Sequence, residues 1–298
     1  MSPVKNVLTF DVEDWHQSTL DQSLPITERV RSNTHTILDL LAEKRALATF
    51  FVLGLVATRF PDVVRRIVAE GHELASHGNS HRPVHAMTRE EFRVDLRRSL
   101  AILQEGAGTR VLGYRAPDFS INEGALWAIE VLAEEGLEYD SSIFPFAGPR
   151  YGIAFAPRLP FTVRCAANPR FLEFPLTTLE WLGVRLPAGG GGYFRLFPYA
   201  VTHTAVARLN RAGSPATTYF HPYEMDTKEI PQSPYPIPWR LRLSQGLLRG
   251  GVERKLRRLL SDFSWGPARD WLDERTRVAG GRMLEPPRTP AAEAPLLR

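Results

Sequence analysis

Five strand-length stretches of this chain each run straight into a cluster of polar, chemically capable residues, and no other feature constrains the fold as much. The clusters are Asp11–Asp14, His77–His81, Arg115–Phe119, Asp140–Ser142 and His221–Glu224. In a β/α barrel the loops at the carboxyl ends of the strands converge on one face. Five such clusters predict a shared site at one end of a barrel.

The alternation of elements points the same way. Residues 4–10 and 47–53 are apolar runs of strand length, rich in β-branched and aromatic side chains. Between them, residues 26–44 carry Val30, Ile37, Leu38, Leu40 and Leu41 at spacings that suit a helix. A second helix is expected from about Pro61 to Glu70, stopped by Gly71, and then a strand from His72 to Ala75. This β-α-β-α-β order implies parallel strands covered by helices. Thr88 with Glu91 makes a capping box for the next helix, whose buried stripe is Phe92, Leu96, Leu100 and Leu103. Strands at 110–114, 137–139 and 216–220, and helices at 122–135 and 199–211, continue the pattern. Residues 143–195 are rich in proline and glycine and read as loops with short strands. Past residue 280, Pro286, Pro287, Pro290 and Pro295 among alanines read as a disordered tail over 281–298.

A chain of 298 residues, 43% hydrophobic, can bury the core of one large α/β domain. No apolar run approaches the ~20 residues that span a bilayer. The N-terminus enters a strand at once, so no secretory signal is read, and the single cysteine, Cys165, fits a reducing compartment. The expected address is the cytoplasm. Net charge is +4, with Arg240, Arg242, Arg249, Arg254, Lys255, Arg257 and Arg258 concentrated late. No aromatic interleaving or binding module accompanies them, which argues against a nucleic-acid partner. Arg254, Lys255, Arg257 and Arg258 alternate with Val252, Leu256, Leu259, Leu260 and Phe263 at helical spacing. That pattern reads as an amphipathic helix with a solvated basic face, or as one that meets an anionic partner or membrane surface.

The chemistry starts from two histidines four residues apart, His77 and His81, and the carboxylates Asp11, Glu13 and Asp14. Two imidazoles and one carboxylate make a three-ligand set that holds a catalytic divalent metal and leaves a position for water. A second carboxylate could then deprotonate that water. Zinc suits this donor set, though cobalt, nickel or iron also fit.

Taken together, the five segments resemble the polysaccharide deacetylases of carbohydrate esterase family four. Thr9 to Asp14 looks like the first motif, His77 to His81 the second, and Arg115-Ala116-Pro117-Asp118-Phe119 the third. Asp140-Ser141-Ser142 looks like the fourth motif and Tyr219-Phe220-His221-Pro222 the fifth. The phrases Asp11 to Trp15, Gly191 to Leu196 and His221 to Glu224 look like the exosortase-associated (PEP-CTERM) members of bacterial exopolysaccharide gene clusters. The resemblance implies a distorted (β/α) barrel of NodB-like type with about seven parallel strands, a catalytic domain over residues 1–280, and metal-dependent N-deacetylation.

By that resemblance Asp11 is the base, Arg115 pairs with it, His221 is the general acid and Asp140 steadies His221. His77 and His81 are metal ligands. The usual first motif has two adjacent aspartates, whereas here Val12 follows Asp11. Strand alternation puts Glu13 on the same face as Asp11. If the strand ends at residue 11, the shorter Asp14 swings in instead, so both stand as candidate third ligands. Trp15 is a candidate sugar-stacking platform. Pro117 and Phe119, and Tyr193 and Arg195 after the glycine run 189–192, are candidates to line a sugar groove. The run itself reads as a tight turn or a close approach to the site. The implied partner is an N-acetylated polysaccharide or lipid-linked oligosaccharide, with peripheral membrane or exopolysaccharide-assembly association as a further expectation. Two other readings stand beside it. Allantoinase-type hydrolases on this fold can lack the metal histidines, which this chain keeps. A non-catalytic carbohydrate-binding protein would be expected to lose Asp11, Arg115 or His221, and none is missing.

Overall fold

The computed structural model describes residues 3–148 and 151–272. The tail expected at 281–298, and the end of the expected domain at 280, lie outside the described residues. The first half runs β1 (Lys5–Val12), α1 (Glu28–Lys44), β2 (Thr49–Val52), α2 (Gly54–Arg59), α3 (Pro61–Ala69), β3 (Glu73–Ser76), α4 (Arg89–Ala107), β4 (Gly113–Tyr114), α5 (Trp127–Glu134) and β5 (Tyr139–Asp140). The second half adds β6 (Phe161–Thr162), β7 (Leu172–Glu173) and the hairpin β8 (Thr178–Trp181) and β9 (Val184–Pro187). It continues through α6 (Gly191–Leu196), α7 (Tyr199–Arg211), β10 (Thr217–Phe220), α8 (Trp239–Gly246), α9 (Val252–Asp262) and β11 (Ser264–Gly266).

The main sheet has the order β10-β1-β2-β3-β4-β5-β7-β6, with β11 paired to the first residues of β1. Every pairing is parallel except that of β6 with β7. The sheet curls into an open, distorted barrel, the expected architecture. Between β7 and β10 irregular backbone crosses the gap. There the Thr177 N–H donates to the Thr217 carbonyl at 3.1 Å and the Tyr219 N–H to the Gly189 carbonyl at 2.8 Å.

Period-two alternation sorts the strand side chains into two layers. Leu8, Phe10, Val12, Phe50, Val52 and Leu74 face the helices and join their apolar stripes in the largest core cluster. Val7, Phe51, Ala75, Tyr139, Leu172 and Phe174 fill the barrel interior. Burying a leucine or phenylalanine of this kind stabilises the fold by roughly 1.5–3 kcal/mol. Thr9, Asp11 and Glu13 share the inward face with Val7, so β1 delivers its acidic groups to the upper end of the interior.

The helices obey their local signals. Thr88 and Glu91 form the capping box of α4, and Gly108 ends that helix in the left-handed region. Thr27 caps α1 and Pro61 stands in the first turn of α3. The glycine run 189–192 proves to be a close approach of backbone to β10. A Cβ on Gly190, which has φ +142°, would fall 1.7 Å from the Tyr219 carbonyl oxygen. Only glycine fits there.

Candidate metal centre and catalytic face

Arg115 organises the upper end of the barrel. It follows β4, is fully buried, and lies 4.2 Å over the ring of Phe51. Its Nη1 donates to Asp11 Oδ1 at 2.7 Å and to Thr9 Oγ1 at 2.6 Å. Its Nε and Nη2 donate to the carbonyl and hydroxyl of Ser141 at 2.9 and 2.7 Å. One side chain thus ties β1 to the segment after β5, and a buried charge is tolerable because its donors are matched. Its carbonyl accepts from His77 Nδ1 at 2.8 Å. A carbonyl only accepts, so His77 carries its proton on Nδ1 and turns a bare Nε2 toward the cavity.

That Nε2 lies 3.3 Å from Glu13 Oε2, and His81 Nε2 lies 2.5 Å from the same oxygen. Ligand atoms of Glu13, His77 and His81 all fall within 4.8 Å of one another, with all three residues buried. A bare imidazole nitrogen facing a carboxylate is repulsive unless a cation stands between them. The donor set therefore fits a divalent ion with bonds of about 2.0–2.2 Å. Glu13 Oε1 accepts from Ser18 Oγ at 3.2 Å and from the Tyr223 hydroxyl at 3.1 Å, which fixes the carboxylate's rotation. Burial alone would raise the Glu13 pKa. The positive charges of His81 and His221 oppose it, and the carboxyl is held well below its usual range.

The loop carrying the histidines is itself constrained. His81 has φ +61° and Gly78 φ +77°. A non-glycine residue in the left-handed region costs roughly 1–2 kcal/mol. Asp95 of α4 offsets this by accepting from the Asn79 N–H and the Ser80 hydroxyl, both at 2.8 Å.

Asp14 is not part of this cluster, which corrects one of the two candidate ligands. β1 continues to Val12, so Glu13 keeps the inward face and Asp14 points away. Its Oδ1 accepts from the His16 and Gln17 N–H groups at 2.9 and 3.2 Å, and its Oδ2 from the Thr27 N–H and hydroxyl at 2.9 and 2.5 Å. Burial pushes its pKa up, but hydrogen bonds from His16, Thr27 and Gln17 bring it below the usual value. Asp14 joins the metal loop to the start of α1.

His221 follows β10 and presents Nε2 3.6 Å from Glu13 Oε1 and 4.0 Å from Asp11 Oδ2. The carboxylate beside its Nδ1 is Glu224, at 3.4 Å, and not Asp140. Asp140 spends its oxygens on Ser142, accepting from the hydroxyl at 2.6 Å and the N–H at 3.1 Å. Ser142 Oγ in turn accepts from the Ala116 N–H at 2.8 Å, so Asp140 buttresses the loop after β4. Burial raises the Asp140 pKa to about 6, beside Glu173. Burial would lower that of His221, but Glu224, Glu13 and Asp11 raise it to about 9. The imidazole also stacks on Tyr223, 4.8 Å away with planes 12° apart.

The expected sugar-lining residues divide. Trp15 is buried beneath Tyr223, Ile230 and Ile237 and offers no stacking face. Arg195 is buried as well, its Nη1 donating to the carbonyls of Ser244, Gln245 and Leu247 at 2.9, 2.7 and 3.0 Å. Both are framework, because the segment after β10 folds over them. Pro117 is buried beside Gly78 of the histidine loop. Phe119 packs edge-on against Tyr219 at 4.7 Å and Phe144 at 5.6 Å. Tyr193 stays half-buried, its hydroxyl 3.5 Å from that of Tyr151.

Residues 4–138 match the family model described as polysaccharide deacetylase, and residues 141–273 match a domain of unknown function (DUF3473). The chain is 38% identical over 98 residues to a peptidoglycan-N-acetylglucosamine deacetylase of Bacillus cereus, covering 33% of this chain and 36% of the relative. It is 38% identical over 100 residues to a chitooligosaccharide deacetylase of Sinorhizobium fredii, covering 33% of this chain and 44% of the relative. The chain thus spans less than half the length of these curated relatives. A Mycobacterium smegmatis crystal structure assigned as a polysaccharide deacetylase superposes with a TM-score of 0.66 at 20% identity, covering 95% of both chains, and so shares the fold. The histidine loop and the acidic end of β1 both fall within residues 4–138, the part of the chain that matches the polysaccharide deacetylase family model.

Proposed function

We propose that the chain is a divalent-metal-dependent deacetylase that hydrolyses N-acetyl groups on amino sugars and releases acetate. The observation that carries this reading is the convergence of Glu13, His77 and His81 beside the Asp11–Arg115 pair, with His221 facing both. A divalent ion held by those three ligands supplies Lewis acidity toward the amide carbonyl and makes water a better nucleophile.

The remaining roles belong to the chain. Amide hydrolysis needs a proton acceptor for the attacking water and a proton donor for a poor leaving amine. Asp11 is the acceptor: Arg115 fixes its Oδ1, and Oδ2 is turned toward His221. His221 is the donor, oriented by Glu224 at Nδ1 and by the Tyr223 ring beneath it. Tyr193 and Tyr151 offer half-buried aromatic surface for a sugar ring at the rim.

The substrate class we infer is an exopolysaccharide or its lipid-linked precursor, of the kind handled by exosortase-associated clusters. Support for the assignment comes from the ligand standing two residues after the base, in Asp11-Val12-Glu13. Zinc is the ion that best suits the donor set.

The test is acetate release from N-acetylated oligosaccharides by chelated and metal-restored protein, with amide and acetyl-ester substrates compared in His221→Ala. Activity is expected only with metal. The variant should lose far more turnover on the amide, because an alkoxide leaves without help more readily than an amine. Equal losses on both substrates would remove the acid role. Hydrolysis of allantoin without acetate release would overturn the reading.

A further inference from the structure

Helix α8 has an unusual surface. None of its residues is buried. Trp239, Leu243 and Leu247 recur every fourth position, which sets them along one side of the helix, and they are 69%, 59% and 48% exposed. Leu248 follows at 55% exposure with φ +61°, a backbone region that disfavours any residue with a Cβ. Neither burial nor local conformation accounts for a leucine at that position.

The charge beside this stripe has one sign. Arg240 and Arg242 are exposed, the Arg240 guanidinium lying 5.4 Å over the ring of Trp239. Between Glu229 and Glu253 the chain contains no acidic residue. Tryptophan and leucine along one side with arginines at the border is the composition of a helix that lies in a membrane interface. A second copy of the chain is a poorer occupant. A two-fold contact through this face would bring the arginines of both copies together with no carboxylate between them. An anionic bilayer supplies counter-charge to all of them at once.

The helix is also anchored so that the stripe stays outward. Arg195 holds the carbonyls of Ser244, Gln245 and Leu247, and Arg249 donates to the Tyr223 carbonyl. Tyr223 is the residue on which His221 stacks. The stripe therefore lies at the end of the barrel that carries the site.

We propose that α8 seats this protein on an anionic lipid bilayer, with Trp239, Leu243, Leu247 and Leu248 entering the interfacial layer. Arg240 and Arg242 meet lipid phosphates, and the catalytic end of the barrel is brought to the membrane surface. The inference does not depend on the reaction catalysed.

Flotation of the full chain with vesicles of phosphatidylcholine, with and without phosphatidylglycerol, tests it. The parent should float with the anionic vesicles and show a blue shift of tryptophan emission. Leu243→Ser and Leu247→Ser should each weaken partitioning about tenfold, and Arg240→Gln and Arg242→Gln about fivefold each. Because Arg240, Arg242, Leu243 and Leu247 are all exposed, these variants should keep the parent's circular dichroism and thermal midpoint. Absence of flotation at low salt, or equal flotation by the leucine variants, would overturn the proposal. So would light scattering that shows a parental dimer, monomeric in Leu243→Ser, with no vesicle binding.

Discussion

Two neighbouring carboxylates directly after β1 have opposite employments, and the difference lies in where their lone pairs go. Glu13 Oε2 faces only imidazole nitrogens, whereas both oxygens of Asp14 are filled by N–H and hydroxyl donors. Glu13→Gln should accordingly lose metal, because a neutral amide in that position no longer balances the ion. Asp14→Asn should retain metal, as measured by elemental analysis, while losing about 1 kcal/mol of stability with its capping hydrogen bonds. Metal lost equally from both variants would reverse the assignment. The same reasoning explains why Glu224, and not Asp140, accompanies His221. The spacing from His221 to Glu224 is that of a capping box, with the Glu224 carboxylate accepting from the His221 N–H at 3.2 Å. That pattern is visible in the sequence to a reader who asks which residue starts the turn after β10. Asp95 left no such signal, since an aspartate on the polar side of a helix resembles any solvated residue.

Elements were legible where a core imposes a period. Helix α7 has the bounds read from the sequence, and α4 begins at its capping box. The strand read at 110–114 keeps only Gly113 and Tyr114 in the ladder. Short strands were legible in the middle of the chain, but the bounds and pairing of β8 and β9, and helices α6 and α8, had no legible signal. They fall in the proline- and glycine-rich middle, or, for α8, pack through little more than Leu241 and so carry no stripe set by burial. The sequence offers the basic side of α9 as a solvated or anion-facing surface, yet Lys255 donates to the carbonyls of Phe194, Arg195 and Phe197 and caps α6. One element boundary carries a pH dependence. His72, between α3 and β3, is buried and accepts from the Ala48 N–H through Nδ1 at 3.2 Å. Burial lowers its pKa to about 4 from an ordinary 6.5, with Arg269 and Arg66 adding to the effect against the opposing pull of Glu70. A depressed histidine stabilises the fold fully above the unfolded pKa and loses that contribution as pH falls toward the folded value. Stability should therefore decline between about pH 6.5 and 4, by an amount on the order of 3 kcal/mol at most. His72→Asn, whose side-chain oxygen can take the same N–H, should flatten that stretch of the urea-midpoint profile. An unchanged slope would show that other groups govern it.

For the whole molecule, the ligand cluster is a clasp between β1 and the loop after β3, which no backbone pairing joins directly. A group that binds only the folded state raises its stability by mass action, about 2.7 kcal/mol at one hundred times the dissociation constant. Chelation should lower the thermal midpoint of the parent and leave that of Glu13→Gln nearly unmoved. A parental midpoint indifferent to chelator would count against metal at this site. The alternation along β1 has a consequence of another kind. Asp11 and Glu13 share a face with Thr9, which helps seat Arg115, so the proposed base, the carboxylate of the candidate metal cluster and the arginine's anchor are all set by one phase of a single strand. An in-frame insertion of one codon upstream of Thr9 would turn all three toward the helices together. Lesions of this kind in β1 should be all-or-nothing, leaving no graded series of weakened alleles.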